Sequence, residues 1–159
     1  MPRERLQTAE SWRQQVLQRL ANEASRRGVD VQRLQQRLAF ERLLARLPAD
    51  GAWVLKGGFA LQVRYGLTVR PTKDIDLLAP SPLAEALAKL QAILVEPTGE
   101  DRFDFVAQPA RPLPGDAAGT LRVQILSRLS GRKFVVFTSI SWATRFSPRS
   151  PTVCKAWTS

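Results

Sequence analysis

The chain has no histidine and only one cysteine, one tyrosine and one methionine in its 159 residues. Without histidine there is no imidazole for a Ser-His or Cys-His pair, so nucleophilic catalysis of that kind is excluded. The lone Cys154 excludes an internal disulfide, and with no histidine it excludes a zinc cluster as well. No apolar run is long enough to span a bilayer, and the N-terminus lacks the apolar core of a signal peptide. The chain therefore reads as a cytoplasmic protein with no membrane partner. Any metal or acid–base chemistry has to rest on aspartate and glutamate.

Positive charge, by contrast, is abundant. Twenty-four Lys and Arg against 14 Asp and Glu give a formal charge of +10, which suits polyanionic partners such as RNA, DNA or nucleotide phosphates. The competing reading is an Arg-rich protein that is basic without a specific polyanion to hold. The length suits one domain with a genuine core.

Apolar spacing predicts a helix from about Thr8 to Arg26, carrying Trp12, Val16, Leu17, Leu20 and Ala24 on one face,. Thr8 is positioned to cap it and Gly28 to stop it. Asp30 caps a second predicted helix to about Leu47. Its Arg33, Arg37, Arg42 and Arg46 read as a solvated face in preference to an RNA-binding stripe. Pro48 to Gly51 reads as a turn, Trp53-Val54-Leu55 as a short strand, and Phe59 to Tyr65 as short helical turns. Asp74 to Leu78 reads as a second strand, followed by a helix starting at Ser81-Pro82. Phe103 to Val106, Leu121 to Leu129 and Lys133 to Phe137 read as strands, the last two joined as a hairpin through Gly131-Arg132,. Gly115 to Gly119 falls in a Pro- and Gly-rich loop. Three segments result: a helical part at 1–50, a core at 51–137, and an atypical tail at 138–159 with no acidic residue. The fold class expected is α+β, a mixed sheet flanked by helices with two N-terminal helices.

One constellation carries chemistry. Lys56-Gly57-Gly58 follows the first strand, and Arg70-Pro71-Thr72-Lys73-Asp74-Ile75-Asp76 leads into the second. Alternate side chains of a strand share a face, so Asp74 and Asp76 project together, about 7 Å apart. Two carboxylates so placed repel unless a cation lies between them. Mg²⁺ suits them, because it takes carboxylate, water and phosphate oxygens. A glycine pair at a helix N-terminus lets backbone amides approach a phosphate closely. Lys56, Arg70 and Lys73 are near enough in sequence to neutralise a triphosphate. An Asp-x-Asp alone is weak, and a Gly-Gly alone usually marks a turn; the combination in strand–glycine–helix–strand order is far more specific.

Leu55 to Leu61, Tyr65-Gly66-Leu67 and Arg70 to Leu77 together resemble the AbiEii/AbiGii family of nucleotidyltransferase toxins. The resemblance is close over about residues 53 to 79 and looser through Asp101-Arg102-Phe103 and the Gly131-Arg132-Lys133-Phe134 hairpin. It implies the polymerase-β-like nucleotidyltransferase fold and a toxin of a toxin–antitoxin or abortive-infection system, partnered by a cognate antitoxin. It also implies an NTP substrate and Mg²⁺ or Mn²⁺. Gly57 and Gly58 would hold the triphosphate, with Lys56, Arg70, Thr72 and Lys73 around it. Asp74 and Asp76 would be the catalytic, metal-binding carboxylates. The implied acceptor is RNA, with a tRNA end as one candidate. Where many such enzymes have Gly-Ser, this chain has Gly57-Gly58 followed by Phe59, so that hydroxyl contact is missing from the motif.

The resemblance also implies a third carboxylate just after the hairpin, and a further helical region with another Lys and Asp motif. Neither follows Phe137. Reading Thr138 to Arg145 as codons, with TCN for Ser139 and Ser141, and starting each new codon on an old third base gives a different sequence. It is compatible with apolar-Asp-apolar-apolar-Gly-Asp-Ala, although Asn, His or Tyr would satisfy the Asp codons equally. The expectation is a truncated or frameshifted copy whose residues after about Phe137 are out of frame. Three functions stay open: an active transferase, an inactive remnant binding nucleotide or RNA, and a basic nucleic-acid-binding module in which the Asp pair is incidental.

Overall fold

The computed structural model describes residues 8–47, 53–79, 82–96, 101–112 and 120–143, with only the backbone described for Leu83 and for 140–143. The expected turn at Pro48–Gly51, the loop at Gly115–Gly119 and the tail beyond Ala143 lie outside these residues. The first helix, α1, spans Ala9–Arg27. Thr8 caps it by accepting a hydrogen bond from the Ser11 amide, and Gly28 closes it in a left-handed conformation at φ 63°. Asp30 likewise caps α2, Val31–Leu44, through the Gln32 amide. Strand β1 (Val54–Lys56) runs directly into α3 (Gly57–Tyr65). A 3₁₀ turn at Gly66–Thr68 follows, then β2, Asp74–Ala79. Helix α4 covers Leu83–Val95, with Pro82 at the cap position and not, as the sequence suggested, inside the first turn. Strands β3 (Phe103–Ala107), β4 (Arg111–Pro112), β5 (Thr120–Leu129) and β6 (Arg132–Ala143) complete the described chain.

These strands form one six-stranded mixed sheet in the order β1-β2-β6-β5-β3, with β4 also paired to β5. Only β2 and β6 are parallel; the other pairings are antiparallel. The long β5–β6 hairpin turns through Ser130 and Gly131, both at positive φ, the backbone that a two-residue hairpin matched to strand twist requires. The α+β class and the mixed sheet agree with the sequence reading.

The last strand does not. The sequence reading ended it at Phe137, yet Ser139-Ile140-Ser141-Trp142 alternates polar with apolar, out of phase with Val135 and Phe137. In the structure β6 continues to Ala143, paired on one side with Asp74–Ala79 and on the other with Thr120–Leu129. A central strand gains backbone hydrogen bonds on both edges, and these override weak side-chain patterning.

The core lies on one face of the sheet. Ile75, Leu77, Val123, Ile125, Leu129, Phe103, Phe105 and Phe137 are buried against Ala39, Phe40 and Leu43 of α2, Phe59 of α3, and Leu90 and Leu94 of α4. Phe40 meets Phe59 and Phe137 edge-on, each with ring centroids 4.9 Å apart. It thereby ties α2 to both α3 and β6, each contact being worth about 0.5–1.5 kcal/mol beyond simple burial.

The arginines of α2 are not a uniform solvated face. Arg37 pairs with Glu41 at 2.7 Å, and Arg42 is exposed. Arg46, just past the helix end, is buried. Its guanidinium lies 4.5 Å from the Phe105 ring centroid, donates to the Phe103 carbonyl at 2.6 Å and sits 3.5 Å from Asp101. Burial pushes its pKa down, while Asp101 and then Asp104 push it back up. Helical periodicity alone did not show this, since the partners lie more than fifty residues away in sequence. Arg46→Ala should cost about 2–4 kcal/mol of stability by urea denaturation, and Arg42→Ala less than about 0.5 kcal/mol. Equal effects would contradict this placement.

Candidate active site

The junction of β1 and α3 is built on a glycine that cannot be replaced in place. Gly57 is the first residue of α3 and has φ 67°, a left-handed conformation that costs other residues about 1–2 kcal/mol. A Cβ placed there would stand 1.7 Å from Asp76 Oδ2. The β1–β2 register explains the approach, because Lys56 is the cross-strand partner of Asp76. Helix α3 has no side-chain N-cap, so its first-turn amides are left for another acceptor. The Asp76 carboxylate therefore lies against the start of an uncapped helix.

Gly58 is held back by a different neighbour. A Cβ on it would lie 2.9 Å from Cβ of Thr72 and 3.3 Å from Thr72 Oγ1. Thr72 thus fills space that a serine at 58 would need, which accounts physically for Gly-Gly in place of Gly-Ser. The Thr72 hydroxyl accepts from the Asp74 amide at 3.3 Å and lies 3.1 Å from the Asp74 carbonyl. It closes the turn that delivers Asp74 to the sheet.

The loop before the carboxylates is clamped from two helices. Gln62 of α3, which is buried, donates to the Arg70 carbonyl at 3.0 Å. Gln36 of α2 donates to the Lys73 carbonyl at 3.2 Å. Arg33 of α2 donates to the carbonyls of Leu67 and Val69. None of these three clamps was evident in the sequence. Arg33 resembled a surface residue, and Gln36 and Gln62 carried no periodic signal.

Ile75, Leu77 and Ala79 are fully buried, and Asp74, Asp76 and Leu78 are half-buried on the other face of β2. Burial raises the Asp76 carboxyl above its usual value, the Asp74 charge raises it further, and Lys56 works in the opposite direction. This is the repulsion expected of two carboxylates sharing a face, partly relieved by one ammonium. Lys56, Gly57 and Asp76 therefore meet directly, and Gly58 meets Thr72. Arg70 and Lys73 are exposed and line a shallow groove with Asp30, Arg33 and Gln36 at the start of α2. Among the described residues no three His, Cys, Asp or Glu side chains gather into a metal-binding group. On β6, positions 138 and 140 face Asp74 and Asp76 in register, and they carry Thr and Ile.

A mixed sheet, helices over one face, and paired carboxylates against a glycine-led helix define a nucleotidyltransferase fold. The comparisons agree. The sequence model of the family described as "Nucleotidyl transferase AbiEii toxin, Type IV TA system" matches residues 39–150, and the chain belongs to that family. Its fold is similar to that of MenT4, a nucleotidyltransferase toxin from Mycobacterium tuberculosis H37Rv, with TM-score 0.57 and 22% identity. That match covers 79% of this chain and 43% of MenT4, so the chain spans less than half of that protein's length. No curated protein matches the chain.

Gly57→Ala should destabilise the fold by about 2 kcal/mol or more, combining the left-handed backbone with the collision at Asp76. In an Asp76→Gly background the cost should fall to about 1–2 kcal/mol, the backbone contribution alone. Additive effects in the double-mutant cycle would show that the two residues do not touch.

Proposed function

We propose that this chain carries the active-site half of a nucleotidyltransferase toxin that moves a nucleotide from an NTP to an RNA acceptor in Mg²⁺-dependent chemistry. The observation that carries this reading is the Asp76 carboxylate packed on Gly57 at the uncapped start of α3. A triphosphate laid on the α3 amides and an ion held by Asp74 and Asp76 would be immediate neighbours.

The donor set fits Mg²⁺ or Mn²⁺ of the substrate-dependent kind. Mg²⁺ commonly takes one or two carboxylates and completes its shell with phosphate and water, so two aspartates suffice without a full protein cage. Asp74 and Asp76 would hold it, and there it would neutralise the triphosphate and favour loss of pyrophosphate. The chain's own groups do the rest. The amides of Gly57 and Gly58 receive phosphate oxygens, and Lys56 supplies positive charge beside Asp76. Thr72 keeps Asp74 in place, while Arg70 and Lys73 add positive charge around the loop. The charge of +10 suits an RNA acceptor, and a tRNA end is the candidate to try first. The type IV toxin–antitoxin family adds a cognate antitoxin as partner. No helix among the described residues is long and apolar enough to cross a membrane, in keeping with work in the cytoplasm.

Folded protein given α-labelled NTPs, total RNA and Mg²⁺ should transfer label to RNA, and Asp76→Ala should reduce transfer by at least about 100-fold. Failure with all four NTPs, from protein shown to be folded, would count against the reading.

A second reading, an inactive remnant that still binds nucleotide or RNA, draws support from β6. Ser139 is fully buried and, among the described residues, its hydroxyl has no hydrogen-bond partner, an unfavourable choice for a central strand. In the shifted frame, after loss of a single base upstream, the codon at 139 encodes an apolar residue. The Asp-permitting codon then falls at 140, the partner of Asp76. A shifted frame would thus cure the buried hydroxyl and set a carboxylate beside the pair. The gene sequence tests this directly. An open shifted frame encoding Asp at 140 and helices beyond is expected, and an early stop there would overturn it.

A further inference from the structure

The row of residues through Asp76 continues across the whole sheet. Lys56 on β1, Asp76 on β2, position 140 on β6, Arg122 on β5 and Arg111 on β4 are successive cross-strand partners. Directly paired residues share a face of the sheet. Arg122 and Arg111 therefore stand on the face of the carboxylates, opposite the buried Val123 and Ile125. With strands about 4.8 Å apart, their backbones lie about 10 and 14 Å from that of Asp76.

Arg111 and Arg122 are direct partners of one another, and both are exposed. Like charges directly opposite on a sheet are destabilising, and among the described residues neither forms a salt bridge with a carboxylate. Arg128 offers a contrast on the same strand: it lies between Asp104 on β3 and Lys133 on β6, so it has the carboxylate neighbour across the strands that Arg122 lacks. An anion between Arg111 and Arg122 would turn their repulsion into a joint attraction, and planar guanidinium groups match phosphate oxygens in pairs.

The direction of the row decides which phosphate this is. In an in-line displacement the attacking and leaving oxygens lie on opposite sides of the phosphorus. If the leaving pyrophosphate rests at Gly57 and Gly58, at the β1 end, the attacking hydroxyl approaches from the β6–β5–β4 side. We propose that Arg111 and Arg122 bind a backbone phosphate of the RNA strand whose end receives the nucleotide. This inference rests on the nucleotidyltransferase reading, and it adds the path along which the acceptor enters.

The test uses the full chain and two binding measurements. Anisotropy of a fluorescein-labelled single-stranded RNA is followed across a salt series, and a fluorescent ATP analogue with Mg²⁺, competed by the other NTPs, reports the nucleotide site. Arg111→Gln/Arg122→Gln should weaken RNA binding about tenfold and lower the slope of log K against log salt by about 0.7, the release expected for one phosphate contact on a single strand. Arg122→Gln should weaken RNA binding more than Arg128→Gln, which removes the same charge. Nucleotide binding should be unchanged in all three variants, whose melting temperatures report folding. Equal RNA loss in Arg122→Gln and Arg128→Gln would overturn the proposal, because net charge alone would explain it. Loss of nucleotide binding in place of RNA binding would overturn it too, reassigning the arginines to the triphosphate. RNA binding that depends on these arginines, in a wild-type chain that binds no nucleotide with Mg²⁺, would uphold the phosphate contact while refuting the transferase reading.

Discussion

The contact between Gly57 and Asp76 is the constraint on which the site depends. Asp76 Oδ2 occupies the space beside Gly57 where any other residue would carry its Cβ. That closeness requires β1 to end one residue earlier, in register with β2, and α3 to begin with no intervening loop. It also requires a positive φ at residue 57. A helix start, a strand register and a carboxylate are thereby fixed together. Such proximity of a carboxylate to an unfilled helix N-terminus is the arrangement that an ion and a phosphate can share.

The rest of the fold supports this junction from behind. Helices α2, α3 and α4 supply the residues that cover one face of the sheet, with Phe40 linking α2 to α3 and to the central strand β6. The carboxylates lie on the other face. Through Arg33 and Gln36, α2 also holds the loop from Leu67 to Lys73 that carries the chain from α3 to Asp74. The N-terminal helices are thus part of how the site is positioned, and Arg46 anchors their far end to β3. Packing and positioning are not separable here, since the residues that bury α2 also locate the loop.

Much of this was legible in the sequence where the signals are local. Thr8, Gly28 and Asp30 act at the helix ends they were expected to mark, because capping depends on neighbours within about one helical turn,. Asp74-Ile75-Asp76-Leu77 alternates in burial as a strand with one buried face should,. The glycine pair follows β1 as the motif suggested, but it forms the first turn of α3 where the sequence reading began the helix at Phe59. What was not legible depends on distant partners. Arg46 and Arg33 look like surface arginines until Phe103, Leu67 and Val69 are brought to them. Thr138 to Ala143 alternates out of phase with Val135 and Phe137 and is held in the sheet because β2 and β5 flank it. The alignment of Arg111 and Arg122 with Asp76 depends on three strand registers, none of which is encoded locally.

The central claim is that Asp74 and Asp76 form half of an ion site that a nucleotide triphosphate completes. Mn²⁺ binding followed by electron paramagnetic resonance, with and without nucleotide, tests it most directly. The account predicts weak Mn²⁺ binding by the chain alone, at least about tenfold tighter binding when an NTP is present, and loss of that gain in Asp74→Asn/Asp76→Asn. Mn²⁺ binding indifferent both to nucleotide and to the two carboxylates would contradict it.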